Sequence, residues 1–543
     1  MVNYATKRLL IVDDFESFRL SLKRMLNSIG IDDVDIVGNG RDAVRQCREN
    51  RYDGILCDYN LGQGKNGQQV LEELQHRKIL KHSTLFIMIS AETGREMVLG
   101  ALEYSPDGYI SKPFTQASLH KRLDSFFARQ EELAPILSAL DQNNDEEALR
   151  LCQQKAAQPG RYRSWCLQQL AELQIRTTDF SGAKETCEQL LAGRQQDLPR
   201  LLLARIAIEE KQFERAISLL EEVLEHNPNF ARACDLIAQC HRHMGQPQQA
   251  QQALERATAI SPHYLNRQQA LAAQCQQNED MDSATRAWRS TVELSQHSCM
   301  EAPEQYLNLA RCLGENASDN DDQGSKLARE ALQMLDRARD RFADSPALRL
   351  ESSVVEAQIH ISQNHSDAAE KSLLQAKNYF SELDTDQRQQ LQLELGKTLL
   401  QAGQQEQGEQ ILNELASASP EQSDIHARIA SVLDEPVSSA RRKQAAEFNQ
   451  QGIDAFKNEN FEQAMALFIE AQGLSSRHPG VNLNLIQASL KQSPIDGKRA
   501  EHYQRCQAAL EQIAHLKPTH HQWERYQHLK QQVASRLAPA SET

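Results

Sequence analysis

Apolar and polar positions in the first 125 residues alternate between the period of a strand and the period of a helix. Short apolar runs predict strands at 9–12, 34–37, 54–57, 85–89 and 108–110. Amphipathic stretches between them predict helices at 15–29, 41–50, 68–77, 95–103 and 116–129. Strands that alternate with helices form a parallel sheet covered on both faces. The sequence therefore begins with an expected five-stranded α/β domain.

Beyond about residue 130 the strand pattern ends and a helical repeat replaces it. Small residues recur at offsets of 34 residues, as Ala204, Ala238 and Ala272 and as Ala216, Ala250 and Ala284. Two further positions of this frame recur as Leu220, Leu254 and Trp288 and as Val223, Ala257 and Thr291. Small residues let two antiparallel helices approach closely. Such a pair buries its apolar face only by stacking on the next pair.

This frame resembles the tetratricopeptide repeat (TPR) over about 145–480, with further copies near Ala183, Ala369, Gly396 and Gly452. A generic helical bundle is the alternative, but it does not require a constant period. We expect an all-α TPR solenoid over 129–480, interrupted by an acidic, polar stretch at 314–324 that is predicted to be a disordered segment or a loop insertion. Helices within 481–537 are candidates for the cap of the solenoid.

Polar side chains follow four of the five predicted strands. Asp13 and Asp14 follow the first strand, Asp58 the third, Ser90 the fourth and Lys112 the fifth. In open α/β sheets this carboxyl edge is where ligands bind. Three carboxylates that meet there repel one another and require a hard divalent cation, most simply Mg²⁺. A lysine and a hydroxyl beside them complete a cradle for a phosphoryl group.

As a set, these residues resemble the receiver domain of two-component response regulators, over residues 5–128. The resemblance implies a flavodoxin-like fold with Asp58 as the phospho-acceptor. It implies Mg²⁺ ligands from Asp13, Asp14 and Asp58 and from the backbone carbonyl of Asn60. Ser90 and Lys112 are expected to stabilise the phosphoryl group, and Ser90 and Tyr109 to form the switch pair. Taken singly, the same residues are also typical of helix caps, strand ends and solvated charges.

Two departures from the family pattern stand out. The loop after Asp58 has Gly62 where the family commonly has proline, and it is one residue longer before Gly67. Ser105 and Pro106 replace the usual Gly-Ala before the last strand, on a face that many receivers use to dimerise. Neither change removes a chemical group, so we expect the domain to be phosphorylated.

The composition narrows the expected partners. Of 543 residues, 60 are Lys or Arg and 75 are Asp or Glu, which gives a net charge of −15 and argues against a nucleic-acid partner. We expect no membrane segment, because apolar runs are shorter than the ~18 residues that span a bilayer. The 11 cysteines are scattered without a CxxC pair, which favours reduced thiols and a cytoplasmic location.

The helical region shows no catalytic residue set, helix-turn-helix signature or ATPase loop, so we do not expect an enzyme. TPR arrays bind proteins or peptides. We therefore predict a phosphorylation-gated signalling adaptor with two partners: a sensor histidine kinase and an unidentified protein or peptide target of the array. The alternatives are a phosphate sink or constitutive scaffold that competes for the kinase and, less favoured, a transcription regulator.

Overall fold

A computed structural model describes residues 2–91, 94, 100, 103–193, 197–317, 322–418, 423–430, 433, 439–496, 498–516 and 522–536. The chain divides into two compact units, Met1–Asp340 and Arg341–Thr543. The first unit holds a β-sheet followed by helices, and the described part of the second is helical. The helix expected at 95–103 lies largely outside the described residues.

The sheet of the first unit has five strands: β1 Arg8–Val12, β2 Asp33–Val37, β3 Gly54–Asp58, β4 Leu85–Ser90 and β5 Gly108–Ser111. All neighbouring strands pair in parallel, in the order β2-β1-β3-β4-β5. This flavodoxin-like order confirms the expected α/β fold. Strands β3 and β4 are buried along their whole length because they lie inside the sheet and helices cover both of its faces.

Among the described residues, four helices belong to this sheet: α1 Glu16–Ser28, α2 Gly40–Glu49, α3 Gly67–His76 and α4 Gln116–Asp141. Successive side chains of a strand point to opposite faces, so the sheet has a core on each side. Leu10 and Val12 of β1 pack on the side of α2 and α3, whereas Leu9 and Ile11 pack on the side of α1 and α4.

Helix α4 is longer than the sequence pattern indicates. The prediction ended it at residue 129, which is wrong, because the helix continues to Asp141 through Pro135. Leu133, Ile136 and Leu140 are buried in a core shared with the helices that follow. This burial offsets the backbone hydrogen bond that proline cannot make. One continuous helix therefore carries the chain from the sheet into the repeats.

Paired helices fill the rest of the first unit. They are α5 Asp145–Ala156, α6 Arg163–Arg176, α7 Phe180–Leu191, α8 Asp197–Glu209, α9 Phe213–His226, α10 Ala231–His243, α11 Pro247–Ile260, α12 Leu265–Gln277, α13 Met281–Ser295, α14 Pro303–Glu315 and α15 Asp322–Arg341. Helices α8, α10 and α12 start 34 residues apart, as do α9, α11 and α13. The small residues of the predicted frame are fully buried between paired helices. The expected all-α repeat region is confirmed.

Both ends of the acidic stretch at 314–324 are helical, so a loop can occupy less of it than its composition indicates. Gly314 lies within α14 and Gly324 within α15, and both glycines are buried. Residues 318–321 in its centre lie outside the described residues.

The turns inside successive helix pairs share one backbone conformation. Lys211, Gly245 and Glu279 have φ values of 60°, 68° and 60°, again at 34-residue offsets. A left-handed residue directly after a helix ends it and allows the chain to reverse. Only one of the three is glycine, so this regularity is hidden in the sequence.

The second unit continues with paired helices: α16 Pro346–Ser362, α17 Ser366–Glu382, α18 Thr385–Gln401, α19 Gln405–Ala418, α20 Ser423–Ala430, α21 Ser439–Lys457, α22 Phe461–Leu474, α23 Pro479–Asp496, α24 Arg499–Gln512 and α25 Trp523–Arg536. A Cβ atom on Gly396 would lie 2.6 Å from Leu412, and one on Gly452 would lie 2.6 Å from Phe468. These glycines therefore allow close helix contact. No helix in the described ranges has the length and apolarity needed to cross a membrane.

Candidate functional site

The carboxyl edge of the sheet brings three carboxylates together. Val12 of β1 pairs with Cys57 of β3, so the residues that follow, Asp13 and Asp58, stand side by side. Together with Asp14, each offers a carboxylate oxygen within 4.8 Å of the others. Asp13 and Asp58 are buried and Asp14 is exposed, so the cluster opens to solvent on one side.

Lys112 closes the other side of this cluster. Its Nζ lies 2.7 Å from Oδ2 of Asp13 and 2.7 Å from Oδ2 of Asp58. Its backbone N–H donates to the carbonyl of Ser90 at 2.7 Å, and the Lys112–Pro113 peptide is cis. The lysine is thus anchored at the end of the sheet and bridges two of the three carboxylates.

The electrostatics of the cluster leave an excess of negative charge. The pKa of the Asp58 carboxyl is raised to about 6, because burial and the neighbouring Asp13 raise it more than Lys112 lowers it. Burial lowers the pKa of Lys112, but its two carboxylate partners raise it more, so the amine stays protonated. One ammonium cannot neutralise three carboxylates. Their oxygens are the donors that Mg²⁺ prefers, so this set fits such an ion.

The other expected residues lie around the same edge. In the register of the sheet Asp58 is opposite Ile89, and Ser90 follows directly and is buried. Asn60 is exposed, two residues beyond Asp58. Tyr109 lies in β5 and is half-buried against the core on the side of α2 and α3. The roles expected for these residues remain predictions.

Three residues that the sequence analysis did not assign also shape the site. Arg19 donates from Nη1 to the carbonyl of Asp13 at 2.6 Å, and the ring of Phe18 lies 4.0 Å from Nζ of Lys112. A Cβ atom on Gly67 would lie 2.1 Å from the carbonyl oxygen of Asp58, so only glycine fits there. The position of Gly67 nine residues after Asp58 is a usable signal. Phe18 and Arg19 have none, since their role depends on how α1 is oriented.

The unusual loop after Asp58 has a conformational reason for its glycines. Gly62 and Gly64 have φ values of 71° and 100°. Proline holds φ near −65°, so the proline common in the family cannot occupy position 62 in this conformation. The longer loop therefore follows a different path while Gly67 still reaches the backbone of Asp58.

Comparison with known proteins agrees with this geometry. A family model for the response regulator receiver domain matches residues 9–124. The chemotaxis protein CheY-3 of Vibrio cholerae serotype O1 is 34% identical over 122 residues, which cover 22% of this chain and 92% of CheY-3. The chain belongs to the response regulators. A second family model, for the tetratricopeptide repeat, matches residues 207–275 of this response regulator.

Other relatives match the same N-terminal part of this response regulator. The chemotaxis protein CheY of Pseudomonas aeruginosa is 29% identical over 122 residues, covering 22% of this chain and 97% of that protein. The solved structure of the chemotaxis response regulator CheY4 of Vibrio cholerae is 25% identical and covers 22% of this chain and 98% of that one, with a TM-score of 0.21. The relation to CheY-type receivers supports phosphorylation-dependent signalling. Such receivers typically bind Mg²⁺ in an acidic pocket like that of Asp13, Asp14 and Asp58.

Proposed function

We propose that this response regulator is a phosphorylation-gated signalling adaptor. A sensor histidine kinase donates a phosphoryl group to Asp58 of a receiver at 5–128, and this event modulates protein binding by a TPR array at 129–480. The helices within 481–537 act as the cap of the array. The observation that carries the proposal is the carboxylate of Asp58, buried at the sheet edge and bridged to Asp13 by Lys112.

The proposed chemistry is phosphoryl transfer from a phosphohistidine. A carboxylate oxygen of Asp58 attacks phosphorus, the new P–O bond forms, and the P–N bond breaks with its electron pair left on the imidazole. Lys112 and the hydroxyl of Ser90 hold the transferred oxygens. The carboxylates of Asp13, Asp14 and Asp58 and the carbonyl of Asn60 would hold Mg²⁺, which would supply positive charge against the phosphoryl oxygens.

The proposed output is a change in what the repeats bind. Ser90 and Tyr109 are proposed to move with the phosphoryl group, and Tyr109 already packs in the same core as Tyr104. A local charge change at Asp58 thereby biases a two-state surface of the receiver. The match of 207–275 to the tetratricopeptide repeat supports a protein or peptide as the target of the array.

Affinity capture from native lysate tests the proposal. The full chain serves as bait with Mg²⁺, in the presence and absence of beryllofluoride, which mimics the phosphoryl group. We expect at least one captured protein to change with beryllofluoride, and the change to vanish in Asp58→Ala but persist in Asp32→Ala, an exposed aspartate on the same domain. A captured set that ignores both beryllofluoride and Asp58→Ala contradicts gating and favours a constitutive scaffold or a phosphate sink.

A further inference from the structure

Helix α3 of the receiver buries a set of polar side chains. Gln68, Gln69, Glu72 and Glu73 are only 5–7% exposed, although glutamine and glutamate usually lie at protein surfaces. Buried polar groups require hydrogen-bond partners. Glu73 is paired within the receiver, with Lys65 and Arg77, whereas the repeats of the same unit supply partners to the other three side chains.

The partners of α3 lie where α11 and α13 end. Gln68 donates to the carbonyl of His263 at 3.3 Å. Gln69 donates to the carbonyls of Leu294 and Gln296, at 3.2 Å and 2.8 Å. The carboxylate of Glu72 accepts a hydrogen bond from the hydroxyl of Ser298. Each of these three receiver side chains is therefore satisfied by a residue of the repeats.

A buried arginine ties a second part of the receiver to the repeats. The side chain of Arg267 is 0% exposed and lies 2.6 Å from Asp235 of the repeats and 2.9 Å from Glu103 of the receiver. Arg232 donates to the carbonyl of Glu103 at 2.9 Å and to the hydroxyl of Ser105 at 3.0 Å. Two basic residues of the repeats thus contact the short segment 103–105 just before β5.

The two parts form one continuous contact, which we call the docking seam. On the receiver it comprises Gln68, Gln69, Glu72, Glu103, Tyr104 and Ser105; on the repeats it comprises Arg232, His263, Tyr264, Arg267 and 294–298. The rings of Tyr104 and Tyr264 meet edge to face with centroids 5.3 Å apart. Glu103 of the receiver meets two arginines of the repeats at one end of the seam, and Lys65 of the receiver donates to the carbonyl of His297 at the other end. The hydrogen-bonding groups named above are paired across the seam.

We propose that the docking seam is a regulated interface: the repeat surface around Arg232 and Arg267 is the receptor for this chain's own receiver, and modification of Asp58 weakens the contact. The regulated part rests on the proposed function above.

The position of the seam along the chain explains how a change at Asp58 is transmitted to it. Glu103, Tyr104 and Ser105 lie between Ser90, which ends β4, and Tyr109, which lies in β5. A movement of Tyr109, which lies four residues beyond Ser105, displaces this segment. Tyr104 and Tyr109 also share one core, so a displaced Tyr109 alters the support of the Tyr104–Tyr264 contact. A target that requires either covered surface gains access only after release.

Hydrogen exchange of the full chain in Mg²⁺ tests the seam itself. Glu103→Gln removes one of the two carboxylates that pair with Arg267 and leaves the other, Asp235, in place. Ser105→Ala removes a hydrogen-bond partner of Arg232 without a change of charge. Glu49→Gln, on the exposed face of α2, is the matched control. We expect amides of 261–268 to exchange at least about tenfold faster in Glu103→Gln, and faster to a smaller extent in Ser105→Ala, than in the wild type or Glu49→Gln. Equal exchange in all four proteins overturns the seam.

Beryllofluoride tests the regulation of the seam. It should speed exchange at 261–268 in the wild type and have no effect in Asp58→Asn. If Glu103→Gln loosens the seam but beryllofluoride does not, the proposed regulation is wrong. If beryllofluoride speeds exchange at 261–268 but the set of captured proteins stays the same, the proposed adaptor function is wrong and the proposed regulation of the seam is supported.

Discussion

Charged side chains are buried at two places in the first unit, and their charges are balanced differently. At the sheet edge, Asp13, Asp14 and Asp58 face one lysine, so negative charge remains. At the docking seam, Arg267 is held by Asp235 and Glu103, and Gln68, Gln69 and Glu72 of α3 have backbone or hydroxyl partners. A cluster with excess negative charge can bind a cation, and with that cation a phosphoryl group. A matched cluster stabilises a contact between surfaces.

The largest expected effect is the loss of phosphorylation when Asp58, but not an exposed aspartate of the same domain, is replaced. Asp58→Asn should abolish covalent phosphorylation by acetyl phosphate, because the amide cannot form an acyl phosphate. Asp32→Asn, which changes an exposed aspartate, should be phosphorylated like the wild type. Intact-protein mass spectrometry in Mg²⁺ measures the added phosphoryl group. Phosphorylation that survives in Asp58→Asn would place the acceptor elsewhere.

The next effect concerns the charge excess of the pocket. Lys112→Ala leaves Asp13 and Asp58 without their shared cation, which should lower the free energy of unfolding by about 3 kcal/mol in EDTA. Mg²⁺ should stabilise this variant more than the wild type, because the ion then supplies the missing charge. Thermal melting with and without Mg²⁺ measures both effects. Lys121→Ala, which changes an exposed residue of α4, is the control. If Mg²⁺ stabilises both variants equally, the pocket does not carry an excess of negative charge.

A smaller effect tests the close backbone approach beneath Asp58. Gly67→Ala would place Cβ 2.1 Å from the carbonyl oxygen of Asp58, and relief of that clash should cost about 2 kcal/mol or more. Gly64→Ala meets no atom within 4 Å and should cost only about 1 kcal/mol, from its left-handed backbone. Thermal melts of the two variants give the comparison. Equal losses would show that the contact with Asp58 is not tight.

The smallest effects lie in the repeats that carry the seam. Gly245→Ala should lower stability by about 1 kcal/mol, because alanine disfavours a φ of 68° and no atom lies near the new Cβ. Lys211→Gly, at the equivalent turn, should raise stability by a smaller amount, because its φ of 60° suits glycine. Chemical unfolding followed by circular dichroism measures both changes. Shifts of the same sign would contradict a shared left-handed turn.

The sheet and the residues of the pocket can be predicted from the sequence, whereas the docking seam cannot. Strands and the first three helices fall within one residue of the predicted bounds, since alternating apolar runs record which faces are buried. Asp13, Asp58 and Lys112 were assigned because a parallel sheet brings the ends of its strands to one edge.

Other features depend on information that a single sequence does not display. Gln68, Gln69 and Glu72 have the pattern of a solvent-exposed helix face, and they are buried only because another module packs on them. The left-handed turns at Lys211 and Glu279 are imposed by the repeat geometry against the preference of the residue. The extension of α4 through Pro135 likewise follows from burial in a core formed by later helices.

Coupling between the pocket and the repeats is the central claim, and an engineered cross-link measures it directly. A Cβ atom on Gly100 would lie 3.2 Å from Cβ of His263, slightly less than the ~3.5–4.5 Å between the Cβ atoms of a disulfide, so a small separation lets Gly100→Cys with His263→Cys report the docked state. Either single variant controls for the native cysteines. The rate of cross-linking should fall when beryllofluoride and Mg²⁺ are added, and it should not change in an Asp58→Asn background. An equal rate with and without beryllofluoride, in a chain shown to bind it, would contradict the account.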